Sequence, residues 1–294
     1  MNHTRLTINV LISTLAACLF PLAIMAQVED PHVTGNVPIT FYGKVVDQHD
    51  QPVPDVTVRL EIRVGYFTSP TSGKERWDTV RLTSDKSGVF VLTNVNGGFI
   101  QFNSIEKNGY KLSPKQVKAN FLYYPQVFHP EPANPVVFKM WKKAGEEQLV
   151  GSAWHGKVAC DGTTNHFDLH NGHSSAEGVL EIICTRTPLN FEMTSRQPFD
   201  YKLIIAISGG SIQPTEDEFT YLAPESGYLS SVTIDRKPGD PKWGGGLMQE
   251  FYVKTDKGEY GRLSVEWDAG HRPAPTSLKW ECTINPSGSR NLER

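Results

Sequence analysis

The sequence predicts an all-β protein: two antiparallel β-sandwich modules in tandem after a signal peptide. Three observations carry this. From Ile39 onward, short runs of β-branched and aromatic residues alternate with polar ones, and clusters of Gly, Pro, Asp and Asn separate the runs. The first half shows no helical periodicity, and the second half continues the same strand-and-turn pattern. Once an export signal is set aside, roughly 270 residues remain, more than the ~100–200 of a typical single domain, so two separate cores are expected.

The signal is read at residues 1–26. Arg5 precedes an apolar stretch from Leu6 to Ala26, which gives way abruptly to Gln27, Val28, Glu29 and Asp30. The small residue at Ala26 suits a signal peptidase, so cleavage is expected there, and the chain is expected to be secreted, periplasmic or on the cell surface. The alternative is a lipoprotein anchored through Cys18, because Leu15, Ala16, Ala17 and Cys18 match a lipobox. Against it, Leu19 to Met25 stays apolar where a lipoprotein normally continues into a polar tether. No other segment has the ~20 consecutive apolar residues that a membrane-spanning helix requires. Removing residues 1–26 takes away Arg5 and no acid, leaving 28 basic against 32 acidic residues, net −4. That balance gives no hint of nucleic acid.

Within the first module, Val56, Val58, Leu60, Ile62 and Val64 occupy one face of a strand while Thr57, Arg59, Glu61 and Arg63 take the other. Further strands are expected at Ile39–Val46, Thr79–Ser84, Val89–Asn94, Phe99–Ile105 and Val136–Trp141, with a turn at Asp85-Lys86-Ser87-Gly88. The charged patch Lys142–Gln148 marks a boundary. The modules are therefore placed at 38–141 and 151–294, with a linker at 142–150. Eight strands are expected in the second: Lys157–Cys160, His166–Leu169, Val179–Arg186, Asp200–Ser208, Ser230–Asp235, Glu250–Thr255, Tyr260–Asp268 and Ser277–Ile284. Cys160, Cys184 and Cys282 are an odd set, for which an oxidising compartment permits one disulfide and one thiol. Leu278, Trp280, Cys282 and Ile284 share a face, as do Leu180, Ile182 and Cys184, so both cysteines point into a core, either as buried thiols or as a Cys184–Cys282 disulfide.

The stretch GKVVDQHDQPVPDVTVRLEI (Gly43 to Ile62), followed by SDKSGVFVL (Ser84 to Leu92) and by Asn108, Gly109 and Tyr110, resembles the carboxypeptidase regulatory-like domain over roughly Ile39 to Trp141. The resemblance implies a transthyretin-like sandwich, similar to starch-binding-like modules and without the zinc site of carboxypeptidases. It carries a generic implication of carbohydrate binding and fixes no sugar-contacting residue. In physical terms Gly43 and Gly88 are expected to permit tight turns, Pro52 and Pro54 to stiffen a connection, and Val56, Phe90 and Leu92 to fill a core. The second half resembles only uncharacterised C-terminal regions of exported bacterial proteins, ending in a stretch like Asn285 to Glu293. No function follows from that.

Catalytic signatures are missing: there is no Gly-x-Ser-x-Gly, no His-Glu-x-x-His, no phosphate-cradling Gly-rich loop and no Cys-x-x-Cys. His166, Asp168 and His170 alternate along an expected strand, with His155 and His173 near in sequence, and imidazole with carboxylate suits zinc. The plainer reading is that Phe167 and Leu169 face the core while the polar three face water. For carbohydrate, an exposed aromatic ring beside polar side chains is required. Trp77 with Asp78, Trp243 before Gly244, Gly245 and Gly246, and Tyr66 with Phe67 qualify by neighbourhood, whereas Trp141, Trp267 and Trp280 lie in strands and are expected in cores. The run Glu216, Asp217, Glu218 reads as a solvated turn, because adjacent acids do not supply the ~5–10 Å carboxyl separation of a glycosidase. The expected function is that of an exported non-catalytic binding or scaffolding protein without a cofactor, its partner a polysaccharide or an envelope protein. The alternatives are a metal-dependent hydrolase using His166, Asp168 and His170, or a purely structural envelope spacer.

Overall fold

The computed structural model describes residues 36–69, 72–116, 119–124, 128, 131–187, 198–270 and 275–293; for 66–69 and 72 only the backbone is described. The expected signal at 1–26, with its Cys18 alternative, lies outside the described residues. No described helix is long and apolar enough to cross a membrane.

The first module packs two four-stranded sheets face to face. One contains β1 (Val37–Asp47), β4 (Val89–Gly97), β6 (Tyr110–Leu112) and β8 (Val136–Lys142), in the order β4-β1-β8-β6. The other contains β2 (Thr57–Ser69), β3 (Ser72–Thr83), β5 (Phe99–Glu106) and β7 (Asn120–Leu122), in the order β3-β2-β5-β7. The expected alternation of β2 holds: Val58, Leu60 and Ile62 are buried and Arg59 is exposed. They meet an aromatic cluster centred on Phe41, whose ring lies 4.9 Å from Phe121 and 5.1 Å from Phe102. One pairing departs from the antiparallel rule: β1 runs parallel to β8, from Gly43 opposite Val136 to Asp47 opposite Met140.

Local chemistry explains the turns. Asp85 accepts hydrogen bonds from Ser87 Oγ and from the Ser87 and Val89 amides. The Ser87 hydroxyl and then the Val89 amide hold the Asp85 carboxyl below its ordinary pKa. Gly88 closes this turn at φ 76°, a left-handed conformation that glycine adopts without a Cβ clash. Gly43 has a different role from the one expected. It lies inside β1, and a Cβ there would come within 2.1 Å of the Phe90 ring, so its bare backbone is the floor on which Phe90 packs.

The second module has β10 (Asp161–Phe167), β11 (Leu180–Arg186), β12 (Tyr201–Ile207) and β14 (Ser231–Arg236) in one sheet, ordered β10-β11-β12-β14. The other holds β9 (Val150–Val158), β13 (Ser211–Thr215), β15 (Gly246–Lys254), β16 (Tyr260–Asp268) and β17 (Thr276–Asn285), ordered β13-β15-β16-β17-β9. Trp267, Trp280, Phe167 and Phe251 fill its core. Trp141 was expected in a core and instead lies between the modules. Its ring packs 5.7 Å from Phe219 and 5.6 Å from Tyr221.

Residues 143–149 join the modules, and the C-terminal tail binds this connection down. Leu292 is buried against Ala223 and Tyr252. The buried Glu293 carboxylate accepts hydrogen bonds from Trp141 Nε1, from Ala144 N at 2.9 Å and from Gly145 N at 3.0 Å. Glu147 accepts bonds from Asn285 Nδ2 and Ser289 Oγ, both 2.8 Å. Burial works to raise the Glu293 pKa, but the Ala144, Trp141 and Gly145 donors outweigh it and hold the group below its ordinary value.

Two outcomes are expected. Gly43→Ala overpacks the Phe90 site and costs about 1–3 kcal/mol, read as a lowered urea midpoint. Because the folded Glu293 pKa is depressed, its stabilisation is present above the ordinary carboxylate value and is lost as pH falls through the folded one. Glu293→Gln therefore destabilises the protein at neutral pH by about 1–3 kcal/mol and flattens the acid limb of its stability profile, as measured by denaturant titration across pH.

Candidate functional site

The outer face of the β3-β2-β5-β7 sheet carries the most distinctive exposed grouping. Because β2 buries Leu60 and Ile62, Arg59, Glu61 and Arg63 face outward, and the ladder register fixes what stands beside each. Arg63 lies opposite Trp77 on one side and Phe99 on the other, and Phe99 lies opposite Leu122. Trp77, Arg63, Phe99 and Leu122 thus form one row across four strands. Trp77 is 44% exposed and Leu122 38%. The Trp77 and Phe99 rings meet edge to face at 5.9 Å, while the Arg63 guanidinium lies 5.5 Å over Phe99 and 3.7 Å from Glu75. The adjacent row is polar: Thr79, Glu61, Gln101 and Asn120. A broad exposed indole beside a row of amide, hydroxyl and carboxylate groups offers an apolar plane and hydrogen-bonding partners together.

Asp78, expected to work with Trp77, points the other way. Successive residues of a strand face opposite sides, and both Asp78 oxygens are engaged by Arg76 at 2.9 and 3.1 Å. Tyr66 lies opposite Lys74 where the β2–β3 hairpin runs past the last β2–β5 pair, Arg63 with Phe99, and its side chain lies outside the described part. Trp243 is half-buried: its Nε1 donates to Phe199 O at 2.9 Å and its ring meets Phe199 at 5.6 Å, which makes it a lid on the second core.

His166, Asp168 and His170 do not converge. The strand ends at Phe167, so the expected alternation stops before Asp168. Asp168 instead closes a turn, accepting from His170 N at 2.7 Å and from Asn171 Nδ2 at 2.8 Å, and the Asn171 amide is the main cause of its lowered pKa. His166 faces Glu181 at 4.0 Å, and His170 faces Glu259 at 3.3 Å. Among the described residues no group of three or more His, Cys, Asp or Glu is placed to hold a metal. Glu216, Asp217 and Glu218 follow β13: Lys115 donates to Glu216 O at 2.8 Å, and Tyr252 donates to Asp217 at 3.3 Å. Asp217 and Glu218 border a cleft of about 630 Å³ between the modules, which is lined by both charge signs, including Lys115, Glu250, Arg262 and Lys279.

No disulfide joins Cys184 and Cys282, and Cys160, Cys184 and Cys282 are all thiols. Burial, with Cys160 nearby, pushes the Cys184 thiol up to about 12. A group so rarely ionised is a poor nucleophile.

Sequence reasoning singled out Trp77 but missed its companions. Phe99, Leu122, Gln101 and Asn120 are distant in the chain, and only cross-strand register brings them beside it.

No family model matches the chain, and no curated protein matches it. Among solved structures it is similar to the full-length major pilin SpaD from Corynebacterium diphtheriae, with 10% identity over 83% of this chain and a TM-score of 0.26. The chain spans 64% of that pilin's length. It is also similar to the shaft pilin spaA from Lactobacillus rhamnosus GG, with 10% identity, 82% of this chain and 93% of that one covered, and a TM-score of 0.19. Both likenesses are remote.

Thiol titration tests the cysteine assignment. Without reductant, Cys160, Cys184 and Cys282 are all expected to react in denaturant, whereas in the folded protein the buried Cys184 and Cys282 stay protected.

Proposed function

We propose that this is an exported, non-catalytic binding protein whose first sandwich holds a polysaccharide on its outer β3-β2-β5-β7 face. The observation that carries the reading is the row led by Trp77: an indole left 44% exposed against Phe99, with Thr79, Gln101 and Asn120 in the adjacent row. A sugar ring stacks its C–H face on such a plane and directs its hydroxyls to the amides. The resemblance of residues 39–141 to carboxypeptidase regulatory-like modules, themselves similar to starch-binding-like ones, supports the same reading. The N-terminal pattern at 1–26 supports export. The separation of His166, Asp168 and His170 onto different partners weighs against the hydrolase alternative.

A second reading, as a spacer holding other envelope components apart, is favoured by the fastening of the modules through Trp141 and Glu293. The two readings are compatible, because a fixed second module presents the face of the first.

The test is a polysaccharide pull-down on the chain lacking residues 1–26, with Trp77→Ala and Trp243→Ala run in parallel. Trp77→Ala is expected to weaken saturable binding by about tenfold, the equivalent of ~1.4 kcal/mol of stacking. Trp243→Ala is expected to bind as the parent does per folded molecule while losing about 3–5 kcal/mol of stability. Retention of no polysaccharide, or undiminished binding by Trp77→Ala, overturns the carbohydrate reading.

A further inference from the structure

We infer that the polysaccharide is acidic, its carboxylate or sulfate groups received by the paired guanidinium groups of Arg59 and Arg81. The inference rests on the carbohydrate reading of the Trp77 face and narrows it. Arg59 and Arg81 are direct cross-strand partners in the β2–β3 ladder, and both are exposed. Like charges directly opposite each other on neighbouring strands, with Cβ atoms about 4.5–5.5 Å apart, destabilise a sheet. Elsewhere on this hairpin such charge is compensated: Arg63 reaches Glu75 and Arg76 chelates Asp78. Among the described residues Arg59 and Arg81 form no ion pair. The groups around them are Ser104 opposite Arg59, Glu61 two residues along β2, Glu106 opposite Thr57 at the end of the ladder, and Asp55 and Lys107, which line the same cleft as Arg81 and Glu106. Among the described residues none of the three acids, Glu61, Glu106 or Asp55, comes within ion-pairing distance of either arginine.

Two adjacent guanidinium forks on an open face form a bidentate receptor for a planar carboxylate or a sulfate, and an anion placed there removes the repulsion between them. Arg81 follows Trp77 by four residues on β3, about 13 Å along the strand and on the same face. A chain of a few sugar units therefore stacks on Trp77 at one end and delivers an anionic substituent to Arg59 and Arg81 at the other. Thr79 and Glu61 lie between, in position for hydroxyl groups.

The experiment compares dextran with dextran sulfate, which share a backbone and differ in charge, and adds polygalacturonate as the carboxylate probe. Affinities are measured for the parent, for the Arg59→Gln/Arg81→Gln double variant and for Trp77→Ala. The parent is expected to bind an acidic probe at least about tenfold more tightly than dextran and to lose that margin as salt rises. The double variant loses the margin and keeps its affinity for dextran, whereas Trp77→Ala weakens both. Its denaturation midpoint stays level or rises, since a repulsion has been removed. Equal binding of dextran and dextran sulfate, unchanged in the double variant, overturns the acidic assignment and leaves the carbohydrate reading standing. Failure to retain any of the three polymers overturns both. Equally tight binding of polyglutamate, undiminished by Trp77→Ala, shows a general polyanion surface and also overturns the assignment. A marked fall in the stability of the double variant shows that the arginines serve the fold, with the same result.

Discussion

The two-residue period of β2 is the constraint on which the first module depends. This strand lies inside its sheet, between β3 and β5, so each residue must serve either the core or the outer surface. Val58, Leu60 and Ile62 commit the inner side to the aromatic cluster around Phe41. Their burial fixes the register, because a slip of one residue would drive Arg59 and Glu61 inward and expose the apolar set. The outer rows led by Trp77 and by Arg81 are therefore consequences of core packing, held in place by side chains on the opposite face of the sheet.

Much of this was legible in the chain because β2 alternates strictly and its neighbours carry strong turn chemistry. Asp85 to Gly88 reads as a turn from its residue types and is built as one, with Asp85 collecting its hydrogen bonds. What escaped were elements with weak patterns. β9 begins at Val150 rather than Lys157, because as an edge strand it alternates half-buried with exposed residues, and Gly151, Ala153 and Gly156 give no apolar signal. β13 contains Pro214, which counts against a strand from sequence, yet the strand lies at the edge of its sheet, where a missing amide breaks no second ladder. The His166 to His170 expectation failed because alternation was extended past Phe167, where Asp168 caps a turn instead. The row led by Trp77 was only half legible: Trp77 announces itself, but its partners depend on which strands become neighbours.

The second module is fastened to the first through polar groups buried at the connection. A buried carboxylate at Glu293 is costly unless it is hydrogen-bonded, and here the linker amides and the Trp141 indole supply the donors. Nearby, Tyr221 takes the Lys111 ammonium on its ring at 5.0 Å and the Arg262 guanidinium at 5.5 Å, so that one aromatic joins charges from both modules. The tail Asn285 to Glu293, which carries no strand signal in sequence, is in this sense part of the interface.

The parallel pairing of β1 with β8 bears on how the first module transmits force. The chain enters this module at the start of β1 and leaves it at the end of β8, and in a parallel pair those two points lie at opposite ends of the shared ladder. Tension between them slides the strands along each other, so the bonds from Gly43 opposite Val136 to Asp47 opposite Met140 are loaded together rather than opened one after another. A module threaded in this way, pulled at those two points, yields only when the whole ladder shears at once.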